Sequence, residues 1–185
     1  MPFADESTPV KVVDYRPSWP AEFAALEARL RTAAGDSPID HVGSTSVPGL
    51  PAKDCIDVQI RVLWLDRRAL VTFGFRLRPE RWNREEVSSG VRCQKMVFAP
   101  PAGERACNIH LRLAGGPNAR YALLFRDYLR AEPATRDAWG AFKRRLAASV
   151  PDLADYGQIK APATEILMGA AERWAAATGW TPESG

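Results

Sequence analysis

HVGSTSVPGLPAKDCIDVQI, residues 41–60, joins a glycine-serine turn to a proline-glycine turn and then to an alternating run. In that run Ile56, Val58, Ile60 and the following Val62 alternate with Asp57, Gln59 and Arg61. Successive strand side chains point to opposite faces, so this predicts one apolar and one polar face. Polar groups inside a compact protein need partners, so the polar row is either a satisfied network or a site. Upstream, Gly43 permits a close backbone approach, and Ser44 offers a hydroxyl and an N–H in the same turn. Such donors suit phosphate; the alternative is a tight strand-to-loop turn with a capping serine. Val47-Pro48-Gly49 fits a type II turn, with Pro at its second and Gly at its third position. Lys53 can meet a phosphate or form a weak surface pair with Asp54.

On the N-terminal side, residues 10–15 read as a short edge strand stopped by Pro17, and residues 20–34 as a helix. In that helix Phe23, Leu26, Leu30 and Ala33 share a face; Glu22 and Glu27 lie early and Arg29 and Arg31 late, as the helix dipole favours. Gly35-Asp36-Ser37-Pro38 breaks it, and residues 39–42 read as the first central strand. On the C-terminal side, Asp66 is expected to cap a short helix ending near Phe73 and Gly74, before a strand over 75–78. Residues 79–90 are either a solvated loop anchored by Trp82 or a lid carrying an acid from Glu80, Glu85 or Glu86. Residues 91–99 and 106–113 read as a hairpin around Pro100-Pro101-Ala102-Gly103. Its second strand sets Cys107, Ile109, Leu111 and Leu113 against Asn108, His110 and Arg112. With the polar faces of both strands on one side, they make a concave surface whose Lys53, Arg61 and Arg112 suit an anion such as phosphate.

Helices are expected over 119–131, around Tyr121, Leu124, Phe125, Tyr128 and Leu129, and over 133–148, around Trp139, Phe142 and Leu146. Tyr156 and Lys160 fall in a connecting segment. A last helix over 163–177 is expected to bury Ile166, Leu167, Ala170 and Trp174 and to end at Thr178-Gly179. Residues 1–9 and those beyond Pro182 read as loose tails. The sum is one α/β (α+β) domain over 10–180, a mixed sheet with flanking helices and a C-terminal helical half.

A chain of 185 residues fits a single core. Its net charge of +3 is too slight for a nucleic-acid partner. Three cysteines without CxxC spacing read as reduced thiols, not a zinc site or disulfide frame. Without an apolar run of spanning length or a signal-peptide core, the expectation is a soluble cytoplasmic protein with no membrane partner. GxxxxGK[ST] does not occur, which excludes a P-loop kinase.

A Gly-Ser turn followed by an aspartate-bearing strand resembles the nucleotidyltransferase superfamily. That resemblance implies phosphates held by the turn and a divalent metal held by carboxylates two positions apart on the strand. HVGSTSVPGLPAK with its following Asp57, NIHLR, FRDYLRAEP and GQIKAPATEIL more narrowly resembles the GrpB (UPF0157-type) family, a nucleotidyltransferase-fold group. Relatives of that family occur fused behind dephospho-CoA kinase in actinobacteria. The resemblance implies a nucleotide or another anionic small molecule held by His41, Gly43, Ser44, Lys53, Arg112, Arg126 and Lys160, with Asp127 orienting Arg126. Asp57 and His110 would be catalytic, with magnesium on Asp57 and Gln59. Gln59 is the departure, because hard divalent ions prefer charged oxygen ligands. Asp54, three residues from Asp57, falls on the other strand face. Two functions follow: nucleotidyl transfer assisted by a divalent metal, or a non-catalytic scaffold, regulatory or folding partner of the same fold.

Overall fold

The alternating segments pair as a mixed sheet. The computed structural model describes residues 9–83, 86–88 and 90–182; the expectations for residues 1–8, Glu85 and residues 183–185 lie outside them. Among the described residues, one sheet holds β1 (Ile39–Val42), β2 (Ile56–Val62), β3 (Arg76–Leu77), β6 (Lys95–Ala99) and β7 (Cys107–Leu113), in the order β1-β2-β7-β6-β3. β2 and β7 run parallel at its centre, and the other neighbours are antiparallel. β4 (Glu86–Ser88) and β5 (Val91–Cys93) form a separate two-stranded ribbon.

Period-two alternation sorts the sheet faces as expected. Ile56, Val58, Ile60, Ile109, Leu111 and Phe98 are buried against α1 (Trp19–Ala34) and α2 (Arg68–Thr72), which supply Trp19, Leu26, Leu30 and Leu70. Burying each such side chain contributes roughly 1.5–3 kcal/mol. On the opposite face the register aligns Asp57 with Asn108, Gln59 with His110 and Arg61 with Arg112, and Asp40 of β1 with Gln59. α3 (Pro117–Ala131), α4 (Pro133–Ser149) and α5 (Leu153–Thr178) cover this polar face. They close a second core with Val47, Leu50, Leu124, Leu129, Met168 and Ala171. The α/β architecture with a C-terminal helical half is as the sequence predicts.

Several elements differ from expectation, each for a local reason. β1 is an edge strand, because the inner side of β2 is taken by β7. Residues 10–15 make only one bridge, Val13 to Ala52. The strand predicted over 91–99 is cut at Gln94, whose carbonyl accepts from Asn118 Nδ2 at 3.2 Å, and β5 leaves to pair with β4. α5 starts ten residues earlier than predicted, since the Asp152 side chain accepts from the N–H groups of Ala154 and Asp155. Tyr156 and Lys160 therefore lie on a helix, with Pro162 accommodated inside it. Ile166 is 80% exposed, because the buried stripe runs through Tyr156, Leu167, Met168, Ala171 and Ala175. Among the described residues no helix is long and apolar enough to cross a membrane.

Candidate functional site

The site starts where β1 ends. Gly43 has φ +70, and a Cβ there would lie 2.5 Å from Asp57 Oδ2, so only glycine lets the turn sit against the β2 carboxylate. A 3-10 turn, Ser44–Ser46, follows, and Ser46 Oγ donates to Gly43 O at 2.6 Å. Gly49, at φ +80, fills the third position of the expected proline-glycine turn. The chain then passes Pro51 and reaches Lys53 and β2.

Of the residues singled out in the sequence, Gly43, Ser44, Lys53, Asp57, His110, Arg112 and Lys160 line one cavity of about 330 Å³. Asp57, with its side chain 32% exposed, accepts from Asn108 Nδ2 at 3.0 Å and faces His110 Nε2 at 3.6 Å. Burial works to raise its pKa, but His110, Asn108 and Lys53 outweigh that and hold it at about 2. Burial, helped by the Arg112 guanidinium, pushes His110 below its ordinary value despite Asp57. Near neutral pH the imidazole is therefore uncharged, and Asn108 and Lys53 keep the carboxylate ionised. Lys160 lies 5.9 Å above the Tyr156 ring, and burial, then Lys53, lower its pKa.

His41, Gln59 and Arg126 do not line this cavity. His41 stacks on Phe23 with centroids 4.6 Å apart, and its Nε2 meets Thr45 Oγ1 at 2.9 Å. Burial pushes it down to about 4, so it is a neutral bracing group behind the turn. Gln59 is fully buried: Nε2 donates to Asp40 Oδ2 and Ala119 O, and Oε1 accepts from Arg112 Nη1 at 2.9 Å. Arg126 folds back on its neighbour, donating to both Asp127 oxygens at 2.6 and 3.1 Å. Adjacent helical side chains do not face each other directly, and the pair forms because the long arginine stem reaches round. Its Nη1 also braces His41 O at 3.4 Å. Lys53 does not pair with Asp54, whose carboxylate is taken by Arg16, Trp19 and Arg105.

Lys143 completes the cavity, and sequence reading missed it. Its Nζ donates to Ser44 Oγ at 2.9 Å and to Pro51 O, and the residue is 2% exposed. Gly140 lets α4 come this close, since a Cβ there would lie 2.8 Å from Pro51 Cδ. The available signal was position: Lys143 sits four residues after Trp139 and three before Leu146, on the apolar stripe of α4. Trp82 also lines the cavity and joins it to a second hollow of about 470 Å³, which shares Lys53, Cys55 and Asn108. Glu80 lines neither.

The donor set does not fit the magnesium implied by the resemblance. Among the described residues Asp57 is the one carboxylate lining the cavity, Gln59 is committed to Arg112, and Lys53, Arg112, Lys143 and Lys160 surround the space. Among the described residues no three His, Cys, Asp or Glu side chains converge on a point. What the arrangement offers is a cationic, partly enclosed space with a hydroxyl held by a buried amine.

Fold and site together define a mixed α/β protein whose sheet and helical half enclose a cation-rich cavity beside a Gly-Ser turn. The family described as GrpB protein matches residues 9–169. The chain belongs to the GrpB family. It is similar to a dephospho-CoA kinase of Mycolicibacterium paratuberculosis, 33% identical over 200 residues, covering 94% of this chain and 49% of that protein. It thus spans about half the length of the dephospho-CoA kinases it matches. A UPF0157 protein of Deinococcus radiodurans is 32% identical over 157 residues, covering 83% of this chain and 78% of that protein. Among solved structures, the conserved protein GrpB from Enterococcus faecalis superposes with a TM-score of 0.68 at 26% identity, covering 89% of this chain and 99% of that one.

Proposed function

We propose that this protein binds a nucleotide or another phosphorylated small molecule in the cavity beside Gly43 and Ser44, on a nucleotidyltransferase-like framework. The observation that carries this reading is the charge ratio: among the described residues, Lys53, Arg112 and Lys160, with the Lys143 amine beside them, surround a space with one carboxylate, Asp57. Cations fixed in a partly dehydrated space attract an anion more strongly than the same cations in water. Phosphoryl or nucleotidyl transfer there would depend on positioning and charge neutralisation, which is most of what such reactions require of a protein. Similarity to part of proteins named dephospho-CoA kinase brings coenzyme A-like nucleotides among the compounds to test.

One observation favours a second reading, a non-catalytic scaffold or partner module. Gln59, Arg112, Asp40 and Arg61 bond to one another, so much of the polar row serves the fold itself. A thermal-shift screen of nucleotides and coenzyme A-like phosphates, with and without magnesium, separates the two. Ligand bound to the native state raises the melting temperature by mass action. The proposal requires a shift for at least one compound that shrinks in Lys53→Ala and Lys160→Met. A magnesium-dependent shift lost in Asp57→Ala would restore the metal to the mechanism. No shift with any compound refutes binding and leaves the scaffold reading.

A further inference from the structure

Lys143 and Ser44 do more than the binding proposal needs. A lysine that only neutralises phosphate is best left pointing into the cavity with all its protons solvated. Lys143 is instead 2% exposed and aimed at the serine hydroxyl, with Pro51 O as its other partner. Among the described residues it makes no ion pair with a carboxylate. The arrangement has the parts of an activated nucleophile: hydroxyl and base within hydrogen-bond reach, and a third group orienting the base. Gly140 supplies the clearance that brings the amine this far in.

From this geometry we infer that Ser44 is a nucleophile activated by Lys143, and that it takes a phosphoryl group from a phosphoanhydride held in the cavity. This rests on the phosphate-binding proposal above and goes beyond it. The groups facing the amine favour its neutral form. Burial acts first, then Lys160 from α5 and Arg144 from α4, with Lys53 adding to them and Asp57 of β2 opposing; the result is a pKa pushed down to about 7. In the step itself the Lys143 lone pair accepts the Ser44 proton while a Lys143 N–H stays on Pro51 O. The Oγ–P bond forms and the P–O bond of the anhydride breaks. The bonding pair leaves with the departing phosphate or nucleotide, and the proton remains on Lys143 beside the new phosphoserine. Lys53, Arg112 and Lys160 face the charge that develops on the phosphoryl oxygens and the leaving group.

The test uses the whole chain and an alkyl fluorophosphonate, which reports serine nucleophilicity without requiring the natural ligand. Ser44 Oγ displaces fluoride, and peptide mass spectrometry locates the adduct. The expected result is labelling at Ser44 whose rate rises with pH around a midpoint near neutrality. Lys143→Met should slow it by about 10²–10⁴-fold, the usual contribution of a general base. Lys143→Arg should not rescue it, because a guanidinium keeps charge and hydrogen bonds but cannot take the proton. Circular dichroism confirms that each variant is folded. Rescue by Arg, labelling at another serine, or no Ser44 adduct at any pH overturns the nucleophile. The nucleotide thermal shift of the wild type is read in parallel. A retained shift without Ser44 labelling sinks this inference alone, whereas a missing shift refutes the binding proposal whatever Ser44 does.

Discussion

Replacing Lys143 by Met removes one ionisable group from the interior and keeps a side chain of similar length. In the unfolded chain the amine holds its proton up to its ordinary 10.5, but in the folded protein only to about 7. Between these values the unfolded state binds a proton that the native state does not, so stability rises with pH across the window. The penalty for the buried charge is complete below the folded pKa and gone above the unfolded one. At about 1.4 kcal/mol per unit it is roughly 5 kcal/mol at acidic pH, about 4 at pH 7 and about 2 at pH 9. Against it stand the lost bonds to Ser44 and Pro51 O, about 1–3 kcal/mol including the carbonyl left without its donor. The Met variant should therefore be more stable than wild type by about 1–3 kcal/mol at pH 7, an advantage that falls by about 2 kcal/mol by pH 9. Urea denaturation of both proteins from pH 6.5 to 9.5 measures this, with Lys160→Met in both backgrounds to remove the lysine coupled to Lys143. A stability difference that stays constant across the window would refute the reasoning, because Lys143 would not be changing its proton there.

Three further substitutions probe the same construction. Gly140→Ala should destabilise the protein by about 1–3 kcal/mol in urea, because the new Cβ overlaps Pro51 and outweighs the better helix propensity of alanine. It should also raise the pH midpoint of Ser44 labelling as α4 backs away. Gln59→Leu removes the bonds that the amide makes to Arg112, Asp40 and Ala119 O, at about 1–3 kcal/mol, seen as a lower urea midpoint with an unchanged slope. Gly43→Ala combines a left-handed backbone position with contact on Asp57. It should cost roughly 1–3 kcal/mol and abolish the nucleotide thermal shift; a full shift in this variant would mean that the turn does not touch the ligand.

The two central strands were legible because their alternation is strict, and the packing of Ile56, Val58 and Ile109 against α1 follows from it. The helices around Leu26, Leu124 and Trp139 were legible for the same reason at period 3.6. What escaped were features decided by single long-range bonds. Asn118 cuts a strand at Gln94 across 24 positions, and nothing near Gln94 announces it. The start of α5 was hidden because Tyr156 and Lys160 read as a connecting segment, while Asp152, the true cap, stood eleven residues upstream of the predicted start. Lys143 was overlooked because lysine in an amphipathic helix is read as solvent-facing, although its stripe position argued otherwise. Gln59 entered as a metal ligand only through the family resemblance, and only the structure shows its oxygen engaged by Arg112.

The parallel β2–β7 pair has a consequence for how the chain folds. Asp57 and Asn108, partners across that pair, stand 51 positions apart, so the centre of the sheet closes only after a long loop has been drawn in. Until β7 is synthesised, β2 carries an open inner edge, and Asp57 and Gln59 lack their β7 partners. Non-local pairings of this kind slow folding and expose strand edges to neighbouring chains. A nascent or truncated chain ending before Cys107 is thus the form most prone to associate. The arrival of β7 sets Asn108, His110 and Arg112 beside β2 and removes that hazard in one event.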